Sequence, residues 1–216
     1  MPNILASLNE FQGYVNLVNL LTAREANESY IVGGGLRSIL LDRPIKDLDF
    51  FAPRFVLSRL IGSEMLTKEK GQIKTGPLGS PRWIVDDAFY FDLVAIEDVN
   101  HGFGPCHGIR DALSRFDFTA NAIGYCIGDE RTFDPVGGLN DISTRTMRAV
   151  RFDAPDVSIR PDSPITWRAS QWIRIMHYRR RLAFRIEPAT ERWLNENSDC
   201  GDYVPEFARL FFSPEL

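Results

Sequence analysis

The sequence has few cysteines and no long hydrophobic segment. Its three cysteines, Cys106, Cys126 and Cys200, are odd in number and widely separated, which favours free thiols in a reducing compartment over a disulfide framework. The longest apolar runs, such as residues 93–96, are far shorter than the ~20 residues of a membrane-spanning helix. Residues 1–10 show no basic segment followed by an apolar one, so we expect no secretory signal. We therefore predict a cytoplasmic protein that does not enter a membrane.

Lysine is also rare, and most of the positive charge is carried by arginine. Lys and Arg together number 25, of which only four are Lys, against 29 Asp and Glu, so the net charge is −4. The distribution is uneven, because residues 145–192 contain eleven Arg and five acidic residues. Arginine presents a planar fork that suits phosphate, but an Arg-rich helix is equally often a solvated, ion-paired face. Both interpretations stay open.

The remaining composition is that of a globular protein. With 44% hydrophobic residues and no repeated or low-complexity segment, the chain is neither disordered nor a coiled coil. Its 216 residues allow one domain with a short helical extension. We predict an α+β fold, with a mixed sheet of about five strands flanked by helices in residues 1–150 and an α-helical segment in residues 151–216.

Hydrophobic periodicity locates the individual elements. Apolar residues three and four positions apart predict a helix over residues 8–21, with Ser7 as its N-cap. The other expected helices span residues 36–41, 111–123 and 165–183. The strongest strand patterns cover residues 30–32, 48–52, 89–96 and 125–127, and weaker ones lie around residue 73 and at residues 83–85 and 132–133.

A glycine turn follows the first predicted strand. Gly33, Gly34 and Gly35 separate this strand from the start of a helix, and Arg37 lies within the first turn of that helix. Glycines let the backbone approach an anion closely, and the first N–H groups of a helix point outward. The segment is therefore a candidate phosphate site, although a triple glycine is more often only a tight turn.

Acidic residues occupy two of the predicted strands. Asp47 and Asp49 lie on the same face of one strand, because side chains alternate along a strand. Such a pair is unfavourable without a cation, and Mg²⁺ is commonly held by one or two carboxylates plus substrate phosphates. A solvated strand end is the alternative interpretation. Asp92 favours the cation, since it is the one charge in an otherwise apolar strand and an unpaired buried charge is costly.

The order of these features resembles the polymerase-β-like nucleotidyltransferase superfamily. Three segments resemble class II CCA-adding enzymes and bacterial poly(A) polymerases more closely. Residues 30–52, YIVGGGLRSILLDRPIKDLDFFA, resemble a first motif of the form VGGxVRDxLLGRxxxDxD. Residues 115–122, RFDFTANA, resemble RRDFTxNA, and residues 133–141, FDPVGGLND, resemble DPxGGxxDL. The motifs follow the family's order and cover about residues 30–150.

This resemblance implies a fold, a reaction and a set of site residues. The fold is a polymerase-β-like head followed by a short α-helical neck. The reaction is transfer of a nucleoside monophosphate from CTP or ATP to an acceptor hydroxyl, in the family an RNA or tRNA 3′ end, with release of pyrophosphate. The implied catalytic residues and ligands of two Mg²⁺ ions are Asp47, Asp49 and Asp92. The implied nucleotide contacts are Gly33, Gly34, Arg37, Arg115, Asp117 and Asn121.

Departures from the family pattern leave other functions open. Phe116 stands where the second motif usually has an arginine, and no Glu-Asp-x-x-Arg motif, which reads the base in the family, aligns with residues 162–171. Family members also continue into a helical body and tail that bind tRNA. An RNA surface is therefore expected from the Arg-rich helix at residues 174–185, or from a partner subunit or a homo-oligomer. The alternatives are a small-molecule or protein acceptor, or a nucleotide-binding module without turnover.

Two further groups of residues are candidate ligand sites. His101, Cys106 and His107 are close in sequence, but no fourth zinc ligand is evident and the surrounding glycines indicate a loop. The tryptophans of the C-terminal segment are candidates for stacking on RNA bases, with core packing the favoured interpretation. They are Trp167, Trp172 and Trp193.

Overall fold

A computed structural model of the chain describes residues 3–68, 71–86 and 89–216. Its strands are β1 (Tyr30–Val32), β2 (Asp47–Ala52), β3 (Gln72–Thr75), β4 (Pro81–Asp86), β5 (Phe89–Ala95), β6 (Gly124–Cys126), β7 (Thr132–Phe133), β8 (Thr146–Met147) and β9 (Arg185–Ile186). Its α-helices are α1 (Ile4–Asn9), α2 (Gln12–Asn19), α3 (Ala23–Asn27), α4 (Gly34–Leu40), α5 (Arg54–Gly62), α6 (Met65–Lys68), α7 (Ile109–Leu113), α8 (Gly138–Ser143), α9 (Trp167–Leu182), α10 (Pro188–Glu196) and α11 (Val204–Leu210). The first two residues of the segment searched for a secretory signal lie outside the described residues.

The centre of the described structure is a seven-stranded mixed sheet in the order β3-β4-β5-β2-β1-β6-β7. Strands β2 and β5 run parallel, and the other neighbouring pairs are antiparallel. The predicted α+β class is confirmed, with two strands more than the five expected. The weak patterns near residue 73 and at residues 83–85 account for a hairpin at one edge, where Trp83 is fully buried and stacks on Phe91 with ring centroids 5.4 Å apart.

Strand β5 has one buried and one partly exposed face. Phe89, Phe91 and Leu93 are buried on one side of the sheet, whereas Tyr90 and Asp92 alternate with them and face the other side. The apolar composition of this strand therefore does not bury Asp92 in the core. The Asp92 side chain is 18% exposed, on the partly exposed face of the sheet.

The predicted helix over residues 8–21 is wrong as a single element. Helix α1 ends at Asn9 and α2 begins at Gln12, because Phe11 adopts an extended backbone and stacks its ring on Phe89 at 4.6 Å. The cap also differs from the expected Ser7, since Asn3 Oδ1 accepts the hydrogen bond from Ala6 N. Packing against the sheet has outweighed the local helical periodicity.

The predicted helix over residues 111–123 is wrong as well. Helix α7 ends at Leu113, and Phe118 is extended and bridges to Ala149 as in an antiparallel pair. Beyond Leu113, only a short 3-10 turn, Thr119–Asn121, remains of the expected helical stretch. The other predicted elements occur within about two residues of their expected bounds, since α9 covers Trp167–Leu182 and α4 starts at Gly34.

Residues before and after position 150 share a hydrophobic core. One cluster contains Phe50 and Phe118 from the first part and Trp172 and Phe207 from the second. The division of the chain at residue 150 into head and neck stays a prediction.

Two of the tryptophans considered for base stacking are buried in this part of the chain. Trp172 donates its indole N–H to the Leu194 carbonyl oxygen at 2.8 Å, and Trp193 donates to the Phe152 carbonyl oxygen at 3.1 Å. Both are less than 9% exposed. The packing interpretation therefore holds for these two side chains.

The structure describes the state of the three cysteines and the length of the helices, for which the composition made predictions. Cys106, Cys126 and Cys200 are all buried and free. Within the described ranges, no helix combines the length and the apolar character required to cross a bilayer.

Candidate active site

The parallel pairing of β2 and β5 places acidic side chains next to one another. Its register aligns Asp49 with Asp92 and Asp47 with Tyr90. Burial, together with the negative charges of Asp47 and Asp92, raises the pKa of Asp49 from 3.8 to about 8. No hydrogen bond or ion pair joins the Asp49 carboxylate to another described residue. The site therefore concentrates negative charge around a carboxylate that lacks a cation.

The other two carboxylates have partners within the protein. Arg82 on β4 donates to both oxygens of Asp92, with Nε to Oδ1 at 2.7 Å and Nη2 to Oδ2 at 2.9 Å. Tyr90 donates its hydroxyl to Asp47 Oδ2 at 3.1 Å, and burial followed by the charge of Asp47 raises the pKa of Tyr90. The Arg82 guanidinium also lies 3.9 Å from the centroid of the Tyr90 ring.

The carboxylates suit a divalent cation by their chemistry, although their side chains do not converge. In the described part of the chain, no three His, Cys, Asp or Glu residues are arranged to hold a metal ion. Asp92 is turned to Arg82 and Asp47 to Tyr90. Carboxylate oxygens are the ligands that Mg²⁺ prefers, and Asp49 retains its proton at neutral pH unless a cation approaches. The donor set therefore fits Mg²⁺ at Asp47 and Asp49.

The glycine turn lies against this site. Gly33 has φ +78°, a left-handed conformation that favours glycine, and a Cβ built on it would lie 2.6 Å from Asp49 Oδ2. A Cβ on Gly35 would lie 2.5 Å from Leu48 Cδ2, so this position sets the close packing of α4 on β2. Gly34 has no such restriction, because its nearest contact would be an ordinary one with Arg37.

Arg37 is buried behind the turn. It is 7% exposed, donates from Nη1 to Asn121 Oδ1, and places its guanidinium carbon 4.6 Å from the centroid of the Tyr178 ring. Burial lowers the pKa of Arg37. Its Nε is buried and has no hydrogen-bond partner among the described residues.

Asp117 connects the second motif to α9. Its Oδ1 accepts hydrogen bonds from Phe118 N at 2.9 Å and Asn121 Nδ2 at 3.1 Å, and its Oδ2 accepts from Arg174 Nε at 2.6 Å. Arg37, Asn121, Asp117 and Arg174 thus form one continuous polar chain. The role of Arg174 is not visible in the sequence, because nothing in the spacing of the Arg-rich helix distinguishes it from its neighbours.

Arg115 serves another part of the structure. Its side chain is 4% exposed and forms a salt bridge with Asp111 at 2.9 Å. It also donates to the carbonyl oxygens of Val99 at 3.1 Å, Gly104 at 2.8 Å and Pro105 at 2.5 Å. Arg115 therefore anchors the loop over residues 99–105 and is not brought together with the three carboxylates.

Phe116 lies beside the glycine turn. Its ring would be 3.7 Å from a Cβ on Gly33, and its centroid is 5.9 Å from that of Phe51. An aromatic side chain thus takes the place next to Asp117 where the family pattern has an arginine.

The residues considered for zinc have other contacts. His101 packs against Trp167 with ring centroids 5.9 Å apart, and Cys106 Sγ lies 3.7 Å from the Gly108 carbonyl oxygen. His107 donates its backbone N–H to Asp111. In the ranges that the structure describes, His101, Cys106 and His107 form no metal-binding group.

Comparison with known proteins supports the family resemblance of the three sequence motifs. Residues 92–148 match the family described as Poly A polymerase head domain. The chain is 33% identical over 116 residues to the A-adding tRNA nucleotidyltransferase of Deinococcus radiodurans, covering 53% of this chain and 24% of that protein. It is 28% identical over 159 residues to the CC-adding tRNA nucleotidyltransferase of Geobacter sulfurreducens, covering 69% of this chain and 30% of that protein.

The fold has counterparts among solved structures. The Thermotoga maritima CCA-adding enzyme complexed with tRNA superimposes with a TM-score of 0.66 at 20% identity, covering 94% of this chain and 47% of that one. The chain thus spans from about a quarter to about half of the length of these proteins. These matches confirm the resemblance drawn from the three motifs: in sequence the chain is similar to the poly(A) polymerase head domain and to tRNA nucleotidyltransferases, and in fold it is similar to CCA-adding enzymes.

Proposed function

We propose that the chain carries the catalytic head of a metal-dependent tRNA nucleotidyltransferase. It transfers a nucleoside monophosphate from CTP or ATP to the 3′ hydroxyl of an RNA and releases pyrophosphate. The observation that carries this proposal is the alignment of Asp49 with Asp92 on parallel strands, with Asp47 on the same strand face and Gly33 in contact with Asp49. The names of the relatives supply the substrates.

Each acidic residue has a proposed role in this reaction. Asp47 and Asp49 hold Mg²⁺, which when bound lowers the pKa of an attacking hydroxyl and neutralises charge on the leaving pyrophosphate. Asp92 lies beside Asp49 and is the proposed acceptor of the hydroxyl proton, a role that requires Arg82 to release one of the two Asp92 oxygens that it engages. No covalent intermediate is required, because positioning and charge stabilisation account for phosphoryl transfer.

The nucleotide contacts are proposed from the glycine turn and the polar chain behind it. Gly34 is the partly exposed residue of the turn and Gly33 lies next to Asp49, while Arg37 carries a positive charge behind them. Asp117 and Asn121 hold Arg37 in place and are the proposed neighbours of the sugar or base. We leave Arg115 out of this set, because its donors are engaged with the loop over residues 99–105.

The acceptor surface is proposed at the C-terminal end of α9. Arg168 and Arg174 are used internally, by Asp199 and Asp117 respectively. Six arginines on or next to the C-terminal end of α9 make no ion pair with another described residue, and we call them the α9 basic surface. Its members are Arg43, Arg145, Arg179, Arg180, Arg181 and Arg185.

Backbone contacts hold parts of the α9 basic surface together. Arg43 Nη1 donates to the Arg181 carbonyl oxygen at 3.1 Å, and Arg185 N donates to the Arg145 carbonyl oxygen at 3.0 Å. Clustered arginines without carboxylate partners bind phosphates without reading sequence, which suits the backbone of an RNA acceptor.

Transfer of label from α-labelled nucleoside triphosphates tests this proposal. The protein is incubated with Mg²⁺ and each triphosphate, together with tRNA that lacks its 3′ CCA and separate pools of metabolites and protein. The inactive control is Asp47→Ala plus Asp49→Ala, and the matched control is Asp98→Ala, which removes a carboxylate that pairs with Arg54 at the surface. We expect label from CTP or ATP in the tRNA fraction with the wild type and Asp98→Ala only.

The other outcomes identify the alternatives. Label in the metabolite or protein fraction would show that the acceptor is a metabolite or a protein and not RNA. Nucleotide binding without any labelled product would identify a binding module and overturn the proposed catalysis for this chain. Size-exclusion chromatography tests the predicted partner subunit or homo-oligomer, and the cytoplasmic location stays a prediction.

A further inference from the structure

Arg82 forms a bidentate ion pair with Asp92, the third carboxylate of the site. The antiparallel register of β4 and β5 pairs Arg82 directly with Asp92, and the guanidinium engages both carboxylate oxygens at 2.7 and 2.9 Å. An arginine guanidinium stays protonated in proteins, so Arg82 is a cation throughout the physiological range. Asp92 therefore already has a full positive charge beside it.

This cation is held in place from a second side. The Arg82 guanidinium lies over Tyr90, and the Tyr90 hydroxyl donates to Asp47. The exposed fractions of the Arg82 and Asp92 side chains are 23% and 18%, so the pair is screened by water less than a surface ion pair. Arg82 is thus a built component of the acidic site and not a mobile surface residue.

The ion pair with Arg82 makes the three carboxylates unequal as ligands for a divalent cation. A bidentate guanidinium uses both oxygens of Asp92, whereas Asp49 has no cationic partner within hydrogen-bond distance among the described residues. A divalent cation that uses Asp92 must displace Arg82, but one that uses Asp47 and Asp49 need not. The two positions of a two-metal site are therefore unequal in this chain.

We propose that Arg82 is a positioning residue that substitutes for one divalent cation at Asp92. The resting protein then binds one divalent cation through Asp47 and Asp49, and a second one only weakly, in competition with Arg82. This inference rests on the proposed metal-dependent function, and it assigns to Arg82 the control of how many cations the free site holds.

Titration with Mn²⁺ alone, followed by the loss of the free-ion electron paramagnetic resonance signal, tests this inference. Mn²⁺ shares the preference of Mg²⁺ for carboxylate oxygens. We expect one tight site in the wild type and two in Arg82→Gln, with affinity at the second site increased roughly tenfold to a hundredfold, the equivalent of one charge-assisted hydrogen-bond pair. Arg82→Lys retains the charge without the bidentate geometry and should give an intermediate second affinity.

The controls separate this inference from the proposed function. Arg54→Gln removes an arginine from a surface ion pair with Asp98 and should leave Mn²⁺ binding unchanged. If Arg82→Gln unfolds, as judged by circular dichroism, the Arg82→Lys titration decides. Two equal sites in the wild type, unchanged in the Arg82 variants, would overturn the role of Arg82 and leave the proposed function intact. A folded wild type that binds no Mn²⁺ would overturn the metal-dependent function and this inference together.

Discussion

The Asp117 carboxylate accepts a hydrogen bond from Arg174 Nε at 2.6 Å, and this contact joins the segment over residues 115–122 to α9. Asp117 is nearly buried, with 8% of its side chain exposed, and Arg174 is its ion-pair partner. The same carboxylate orients Asn121, which in turn holds Arg37 behind the glycine turn. The helix after residue 150 therefore helps to shape the proposed nucleotide site.

Loss of the partner of Asp117 should destabilise the whole chain. We expect Arg174→Ala to lower the free energy of unfolding by about 3 kcal/mol, because it leaves a buried carboxylate unpaired. Urea denaturation measures the change. The matched control is Arg209→Ala, which removes an exposed pair with Glu206 and should cost less than about 1 kcal/mol. Equal effects of the two substitutions would contradict a linking role for Arg174.

A side chain at Gly33 should disturb the site more than the fold. We expect Gly33→Ala to lower the free energy of unfolding by roughly 1–3 kcal/mol, because of its positive φ and its contact with Asp49, and to reduce nucleotidyl transfer about a hundredfold. Gly62→Ala is the matched control, since a Cβ there has nothing within 4 Å and alanine favours a helix. Unchanged transfer in folded Gly33→Ala would show that the turn does not contact the nucleotide.

The stability of the metal-free chain should fall as the pH rises. Asp49 keeps its proton up to about pH 8 when folded, whereas an unfolded Asp loses it near pH 4. The folded state therefore binds more protons between these values, and its stability should decrease by up to about 1.4 kcal/mol per pH unit within this window. Denaturation in EDTA between pH 5 and 8 measures the slope.

Two comparisons assign this slope to Asp49. Asp49→Asn should remove most of it, because the amide carries no titrating proton. Saturating Mg²⁺ should also reduce it in the wild type, since a bound cation favours the ionised carboxylate. A slope that persists in Asp49→Asn would place the titrating group elsewhere.

Substitution of Arg115 should separate folding from nucleotide binding. We expect Arg115→Lys to lower the free energy of unfolding by about 2 kcal/mol, because lysine cannot reach several carbonyl oxygens of residues 99–105 together. The affinity for nucleoside triphosphate, measured by fluorescence titration below the unfolding temperature, should change less than about twofold. A large loss of affinity with unchanged stability would restore Arg115 to the nucleotide site.

Charge reversal on the α9 basic surface should weaken RNA binding. We expect Arg180→Glu plus Arg181→Glu to lower the affinity for tRNA about tenfold or more and to reduce the slope of log affinity against log salt by about one to two. Filter binding at several salt concentrations measures both quantities. Arg24→Glu, at an exposed position paired with Glu28, tests whether any change of net charge has the same effect. Equal losses in both proteins would argue against a defined surface.

The features that the sequence predicted well are local in character. Strands 30–32 and 48–52 were placed nearly correctly, because short apolar runs bounded by glycine or aspartate specify a strand without distant contacts. The glycine turn and the pair Asp47 and Asp49 could also be found from spacing alone. The three motifs were sufficient to identify the kind of fold.

The features that were missed depend on distant residues. The break between α1 and α2 arises because Phe11 stacks on Phe89, and the loss of the helix after Leu113 arises because Phe118 pairs with Ala149. In both helices a contact across the fold outweighed a local propensity. The contacts of Arg115 with the loop over residues 99–105 were also not predicted from the sequence, and the Arg115→Lys comparison tests its expected nucleotide role.

The sequence by itself determined the seven strands of the main sheet, the turn at Gly33 and the acidic positions on β2 and β5, because alternation and turn chemistry act within a few residues. Only the tertiary structure decided that Arg82 reaches Asp92, that Arg174 reaches Asp117, and that no cationic group of the described residues lies within hydrogen-bond distance of Asp49. The physical reason is that sheet register and helix docking choose which charges meet, and the energy of a charge depends on the groups that the fold brings within a few ångströms of it.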